Sequence, residues 1–308
     1  MEKNFLRMKK HFLVAGLIGA ALTVSAQSDE LPQYNPNSVS PIPRYEQHYR
    51  IRVWREIDLR EKQNEGFFSK NAEISKLLIE AVKSGEIAQV YYNDSLTTLY
   101  PKADWNALLI QNQATVYPTW DPSTNYITQA DIVTYKGKNY EAQTDNIGKN
   151  PETSPADWQI SAQGKASYYL YSDMTKMRIM EDVIFDRRRS RLYYDIQAIQ
   201  LLVPGRMTNS GVDNELGWIS YKDAERVFRN HPREAIWFNR YNTAENKNFA
   251  DAFLLRLFHP VIYKVENPDD STIDDIYREN GRPYREGIWA RQWEEIRLME
   301  KEHNLWEY

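Results

Sequence analysis

Residues 178–186 read RIMEDVIFD and residues 191–204 read RLYYDIQAIQLLVP, two β-rich runs separated only by RRRS. This arrangement predicts a β-hairpin with a charged tip. Working outward, IAQVYY (87–92), AIWFN (235–239) and VIYKVE (261–266) read as further strands. Helical periods lie between them. Within 72–84, Ile74, Leu77, Leu78, Ala81 and Val82 share one face, and Gly85 marks the stop. YKDAERVFRN (221–230) and NFADAFLLRLF (248–258) read as helices. A long amphipathic helix over 286–303 carries Ile288, Trp289, Trp293, Ile296 and Met299 or Glu300 at three-to-four spacing. From Tyr45, the spacing of Tyr49, Val53, Trp54 and Ile57, with Glu56 and Arg60 four apart, predicts one more helix. Helices and strands mix without a steady βαβ rhythm, so the fold class is α+β.

Residues 114–163 differ from both flanks. They are rich in Thr, Asn, Tyr and Pro and show no helical period. Short strands in YITQADIVTYKGKNYEA surround a turn at Gly137, and a Pro-containing loop leads to Trp158. The segment reads as a small all-β insert that divides the α+β domain into 44–113 and 164–308.

The N-terminus carries the marks of export. Lys3, Arg7, Lys9 and Lys10 precede the apolar run FLVAGLIGAALTVSA (12–26), which ends in small residues. Met8 is an alternative start. The run is shorter than the roughly 20 apolar residues that a membrane span needs, so 1–26 is expected to be a signal peptide cleaved near Ala26. Residues 27–43 hold four prolines and read as a mobile linker, or as an arm that orders on a neighbouring subunit. Of 39 basic and 43 acidic residues, cleavage removes four and one, leaving 35 and 42 and a net charge of −7. That balance argues against nucleic acid as partner.

The chain contains no cysteine. Cys-based zinc sites, thiol nucleophiles and a lipid-modified cysteine are therefore excluded, and membrane attachment must come through a partner. Neither a Gly-rich phosphate loop nor a Gly-x-Ser-x-Gly elbow occurs. His48, His231, His259 and His303 sit in four segments without paired spacing. ENPDDSTIDD (266–275) lacks the glycine and distal glutamate of a calcium loop. It reads instead as a turn at Asn267-Pro268 followed by a helix capped by Ser271 or Thr272. No catalytic residue, metal or cofactor is assigned, and the chain is not read as an enzyme. In DRRRSR (186–191), Arg187, Arg188, Arg189 and Arg191 form a solvated tip or an ionic subunit contact.

Several long stretches occur in an order that resembles the GldN/PorN family of gliding-motility and type IX secretion ring proteins. They are RVWREIDLREKQNEGFF (52–68), EDVIFDRRRSRLYYDIQAIQLL (181–202), WFNRYN (237–242), FADAFLLRLF (249–258), KVENPDD (264–270) and EHNLWEY (302–308). The resemblance spans about 44–110 and 165–308. It implies a periplasmic protein without known catalysis, self-associated in a ring with an outer-membrane lipoprotein of the GldK/PorK type, which supplies the anchor. It also implies contact with GldL/GldM-type motor proteins.

The insert is similar to small chitin-binding-type modules of carbohydrate-binding families 5 and 12. The similarity rests on Trp120, Tyr126, Asp131, Val133, Tyr135, Gly137, Lys138, Tyr140, Ala142, Pro151 and Trp158. It implies glycan binding by Trp120, Tyr126, Tyr135, Tyr140 and Trp158, although Tyr135 and Tyr140 suit the core of a small sheet better, and the two tryptophans suit either role. Where that family often places adjacent tryptophans, this chain reads QTDN (143–146). The expected function is a structural ring subunit supporting protein export and gliding. The alternatives are an envelope protein that binds glycan or peptidoglycan through the insert, and a secreted glycan hydrolase.

Overall fold

A computed structural model describes residues 34–112, 117–128, 130–161, 166–279 and 281–306, so the expected signal peptide lies outside the described residues. Its centre is the hairpin read from the sequence. The strands Lys176–Asp186 and Arg191–Val203 pair antiparallel from Asp186↔Arg191 to Lys176↔Leu202. They are the middle of a five-stranded antiparallel sheet. In chain order its strands are β1 (Gln47–Asp58), β2 (Lys176–Asp186), β3 (Arg191–Val203), β4 (Asn214–Ser220) and β5 (Val261–Val265), and their spatial order is β4-β3-β2-β1-β5.

β1 corrects the helix expected from Tyr45. Tyr49, Ile51, Val53 and Ile57 alternate along one face, as a strand requires. Two residues hide that alternation. Arg55 stands on the apolar face, and Trp54 stands on the charged face among Met180, Trp218 and Tyr263. IAQVYY also departs from its reading: in place of a full strand, Tyr91 alone exchanges hydrogen bonds with Trp218, at 2.8 Å each way.

Among the described residues, six α-helices complete the layer: α1 (Ile74–Ser84), α2 (Lys102–Leu108), α3 (Tyr221–Asn230), α4 (Phe249–Leu254), α5 (Ile273–Glu279) and α6 (Tyr284–Trp306). The α1 face is the one read from the sequence, and Gly85 ends it in the left-handed conformation at φ 89°. α4 is shorter than the apolar run suggested, because Arg256 turns left-handed at φ 53°. Thr272 caps α5: its hydroxyl accepts the Asp275 amide at 3.2 Å and donates to the Asp275 carboxylate at 2.6 Å.

One sheet face carries two apolar clusters. Ile57, Met177, Ile179, Ile199 and Leu201 pack with α1, α3 and α4, where Phe228, Phe249 and Phe253 interlock with Phe67 of the 3-10 turn Glu65–Phe67. Val53, Val183 and Ile262 pack farther along, against Ile273 of α5 and Ala290 and Leu298 of α6.

The opposite face is ionic. Arg52 donates to Asp182 at 2.7 Å, and Arg178 reaches Glu56 at 3.3 Å. Asn35 bonds Gln197 at 2.8 Å, and Ser38 and Ile42 are buried. Residues 34–43 therefore pack on the chain's own sheet, which corrects the mobile linker for that part of 27–43. Beside them, burial pushes the Asp195 carboxyl up to about 6 from an ordinary 3.8, with Asp182 adding to the rise and Gln197 and Arg50 opposing it. The folded state thus holds this proton across a range where the unfolded chain has lost it. Stability falls as pH rises from about 4 to about 6, and the deficit persists above that. Asp195→Asn should stabilise the protein by about 1–3 kcal/mol at pH 7.5 and by little at pH 4. Urea titrations at the two pH values check this, and equal gains at both would refute it.

The segment 117–161 forms a separate miniature core. The strands Ile132–Tyr135, Lys138–Ala142 and Trp158–Ile160 make a three-stranded sheet. Its tight turn places Lys136 at φ 48° and Gly137 at φ 76°, the turn expected at Gly137. The chain enters and leaves through one short ladder, Asn112↔Ser167 and Ile110↔Tyr168, and the Asn112 amide bonds the Ser167 hydroxyl at 2.9 Å. Because the two ends are neighbours, replacing 113–166 by a two-residue Asn-Gly turn should move the thermal midpoint by no more than about 3 °C. Calorimetry would read loss of a cooperative transition as the contrary result.

Candidate assembly surfaces

The most prominent outward surface is on α6. An amphipathic helix ordinarily turns its apolar stripe to the core. Here most of the inward residues are small or charged: Gly287, Ala290, Arg291, Glu294 and Glu295 are buried or half-buried, with the apolar Leu298 beside them. Ile288, Trp289, Trp293, Ile296 and Met299 are exposed, with Trp289 at 57% and Trp293 at 56%. Two large indoles in solvent, one helical turn apart, form an apolar patch of the kind that marks a protein contact.

Ion pairs hold this helix in place. Arg291 donates to both carboxylate oxygens of Asp274 on α5, through Nε at 3.0 Å. Arg55, itself buried, pairs with Glu295 of α6 and with Glu181 of β2. Glu181 is fully buried and also receives Arg256 at 2.8 Å. Burial alone would raise the Glu181 carboxyl; the adjacent Arg256 and Arg55 outweigh it and hold the group below its ordinary range. Arg256 in turn lies 4.1 Å from the centre of the Tyr194 ring. This network sits between the two apolar clusters and connects α6 to the sheet centre.

The hairpin tip holds the predicted basic fork. Arg187, Arg188, Arg189 and Arg191 are all exposed. Buried Asp186 organises the turn: it accepts the amides of Arg188 and Arg189 at 2.8 and 3.2 Å and the Arg189 guanidinium at 2.7 Å. Burial pushes this carboxyl up, and those donors more than reverse the effect. Arg188 lies 3.6 Å from Glu46. Among the described residues, Arg187 and Arg191 have no carboxylate within ion-pair reach, so two cations project from a stiffened tip.

The insert places its five aromatics differently from a sugar platform. Tyr126, Tyr140 and Trp158 are buried with Val133 and Ala142. Trp120 and Tyr135 close this core from the side, edge to face at 5.4 Å. The Trp158 indole donates to the Lys149 carbonyl at 2.9 Å. Sugar stacking requires an open ring face; the three buried rings have none, and Trp120 and Tyr135 are half-covered. The framework residues are thus the hydrophobic centre that such a small sheet needs.

Among the described residues, no group of three or more His, Cys, Asp or Glu side chains is placed to hold a metal ion. His231 pairs with Glu86 at 2.8 Å and His259 approaches Glu61 at 3.4 Å, in separate places. No helix among the described residues is long and apolar enough to cross a membrane. The three-to-four spacing over 286–303 marks the α6 residues but not that they face outward. That direction follows from Arg55 and Glu295, a pairing across 240 positions that no local pattern reveals.

The family model for gliding motility associated protein GldN matches residues 42–307, running through the insert as well as both flanks. No curated protein matches the chain.

Proposed function

The chain belongs to the GldN family of gliding motility associated proteins, and from that premise we propose that it is a structural subunit of the periplasmic ring of the type IX secretion system. In this role it binds an outer-membrane lipoprotein of the GldK/PorK type, which supplies the membrane anchor, and supports protein export and gliding. Its mechanism is assembly, not turnover.

The observation that carries this reading is the outward aromatic face of α6, fixed to the sheet by the buried Arg55–Glu181–Glu295 network. A fixed helix pays little ordering entropy on binding, and exposed tryptophans supply large contact area. We assign this face to the lipoprotein and the Arg187–Arg191 fork to ionic contacts at the edge of the same assembly. The motor proteins of the system would meet the completed ring. Glycan recognition through 114–163 has less support, because the candidate stacking rings are covered.

Imaging detergent-extracted outer membranes tests the reading. Closed rings containing this chain are expected, and a freely dispersed monomer in the same fraction would overturn it.

A further inference from the structure

A groove of about 690 Å³ opens beyond the C-terminal end of β1. Its walls are aromatic: Trp237 is half-buried, and Phe238 and Tyr241 are exposed, Tyr241 at 87%. Arg60, Lys62 and Arg240 rim it with positive charge. Glu65, which pairs with Arg240 at 3.0 Å, is the one carboxylate in its lining among the described residues. The groove therefore suits a segment that carries aromatic rings and negative charge, and its volume accommodates more than one side chain.

The chain contains such a segment. Residues 302–308 read EHNLWEY, with two carboxylates, no lysine or arginine, and two aromatics, Trp306, where α6 ends, and Tyr308. A copy's own tail is in the wrong place. Lys301 lies 5.5 Å from the Tyr49 ring, and Asn304 lines a cleft with Tyr49 and Ile51, so α6 ends beside the beginning of β1. The groove begins at Leu59, ten residues farther along an extended strand, on the order of 33 Å away. Glu307 and Tyr308 can reach at most about 7 Å from Trp306.

We infer that the Trp306-Glu307-Tyr308 segment of one copy docks in the Arg60/Lys62/Arg240 groove of the next. Donor and acceptor lie at opposite ends of the same sheet. This is a head-to-tail, heterologous contact, the kind that closes into a ring when the rotation per subunit allows. The inference rests on the ring reading and adds to it which surfaces join copy to copy, leaving the outer face of α6 free for the lipoprotein.

The absence of cysteine permits a direct test. Gln63 lines the groove and is exposed. The full chain carrying Gln63→Cys and Asn304→Cys, which leaves the docking segment intact, is produced in cells, treated with a bis-maleimide, and imaged in parallel for rings. A ladder of multimers linked 63 to 304 is expected, and adding Arg60→Glu and Lys62→Glu should reduce its yield by at least roughly tenfold. Rings without 63–304 links, or links from position 63 to a different protein, would overturn the inference and leave the ring reading standing. A ladder that survives the charge reversals would overturn the charge-based recognition. Absence of both rings and links would remove the ring reading itself.

Discussion

Glu181→Ala is expected to destabilise the protein by about 3–5 kcal/mol, a large share of the stability of an ordinary domain. The cause is what the substitution leaves behind. Arg55 is buried, and without Glu181 its remaining carboxylate partner is the partly exposed Glu295. Arg256 loses its carboxylate at the same time. An uncompensated guanidinium in the interior costs several kcal/mol, whereas removing both charges costs far less. The double variant Glu181→Leu/Arg55→Leu should therefore regain the part of the loss that comes from Arg55, leaving the part that comes from Arg256. Acid provides an independent check. The folded-state pKa of Glu181 is depressed, so its contribution is complete above the unfolded value of 4.5 and is lost as pH falls through the folded one. The gap between wild type and Glu181→Ala should accordingly narrow in strong acid. Urea unfolding followed by tryptophan fluorescence reads all three. A single variant as stable as wild type at pH 7 would show that the network contributes nothing.

Trp289→Ala combined with Trp293→Ala should abolish most binding to the proposed outer-membrane lipoprotein partner while leaving the fold intact. Central aromatic anchors typically contribute about 2 kcal/mol or more each, so one substitution should weaken affinity roughly 30-fold and the pair by more than about 100-fold. Both side chains are mostly in solvent, and their loss should change folding stability by no more than about 0.5 kcal/mol. That separation distinguishes an interface from a packing role. Affinity measured on the purified pair, alongside unfolding curves for the same variants, decides between them. Unchanged affinity would move the docking surface elsewhere, and a large stability loss would make the indoles part of the core.

The pieces of this fold that were legible in the sequence are those governed by local patterns. The β2–β3 hairpin, α1 with its Gly85 stop, α3, the Thr272 cap and the Gly137 turn all follow from periodicity or turn chemistry. β1 was misread because Arg55 occupies an apolar position and Trp54 a polar one. Each is explained by a partner far away in sequence, Glu181 for the first and the β4–β5 aromatics for the second. The α6 stripe was visible as a stripe, but its direction depends on Glu295 meeting Arg55 and on Arg291 meeting Asp274. The insert aromatics were recognisable as a framework. Only the closed packing of Tyr126, Tyr140 and Trp158 shows that this framework is a core. Long-range charge pairing, invisible to any short window, accounts for most of what the sequence concealed.

The claim that the outer face of α6 joins this chain to an outer-membrane lipoprotein is tested most directly by a photo-reactive phenylalanine analogue in place of Trp293. The variant is irradiated in intact cells, and the cross-linked peptides are identified by mass spectrometry. The account predicts a dominant adduct to an outer-membrane lipoprotein. Rings that form normally while position 293 yields no adduct to any lipoprotein would contradict it.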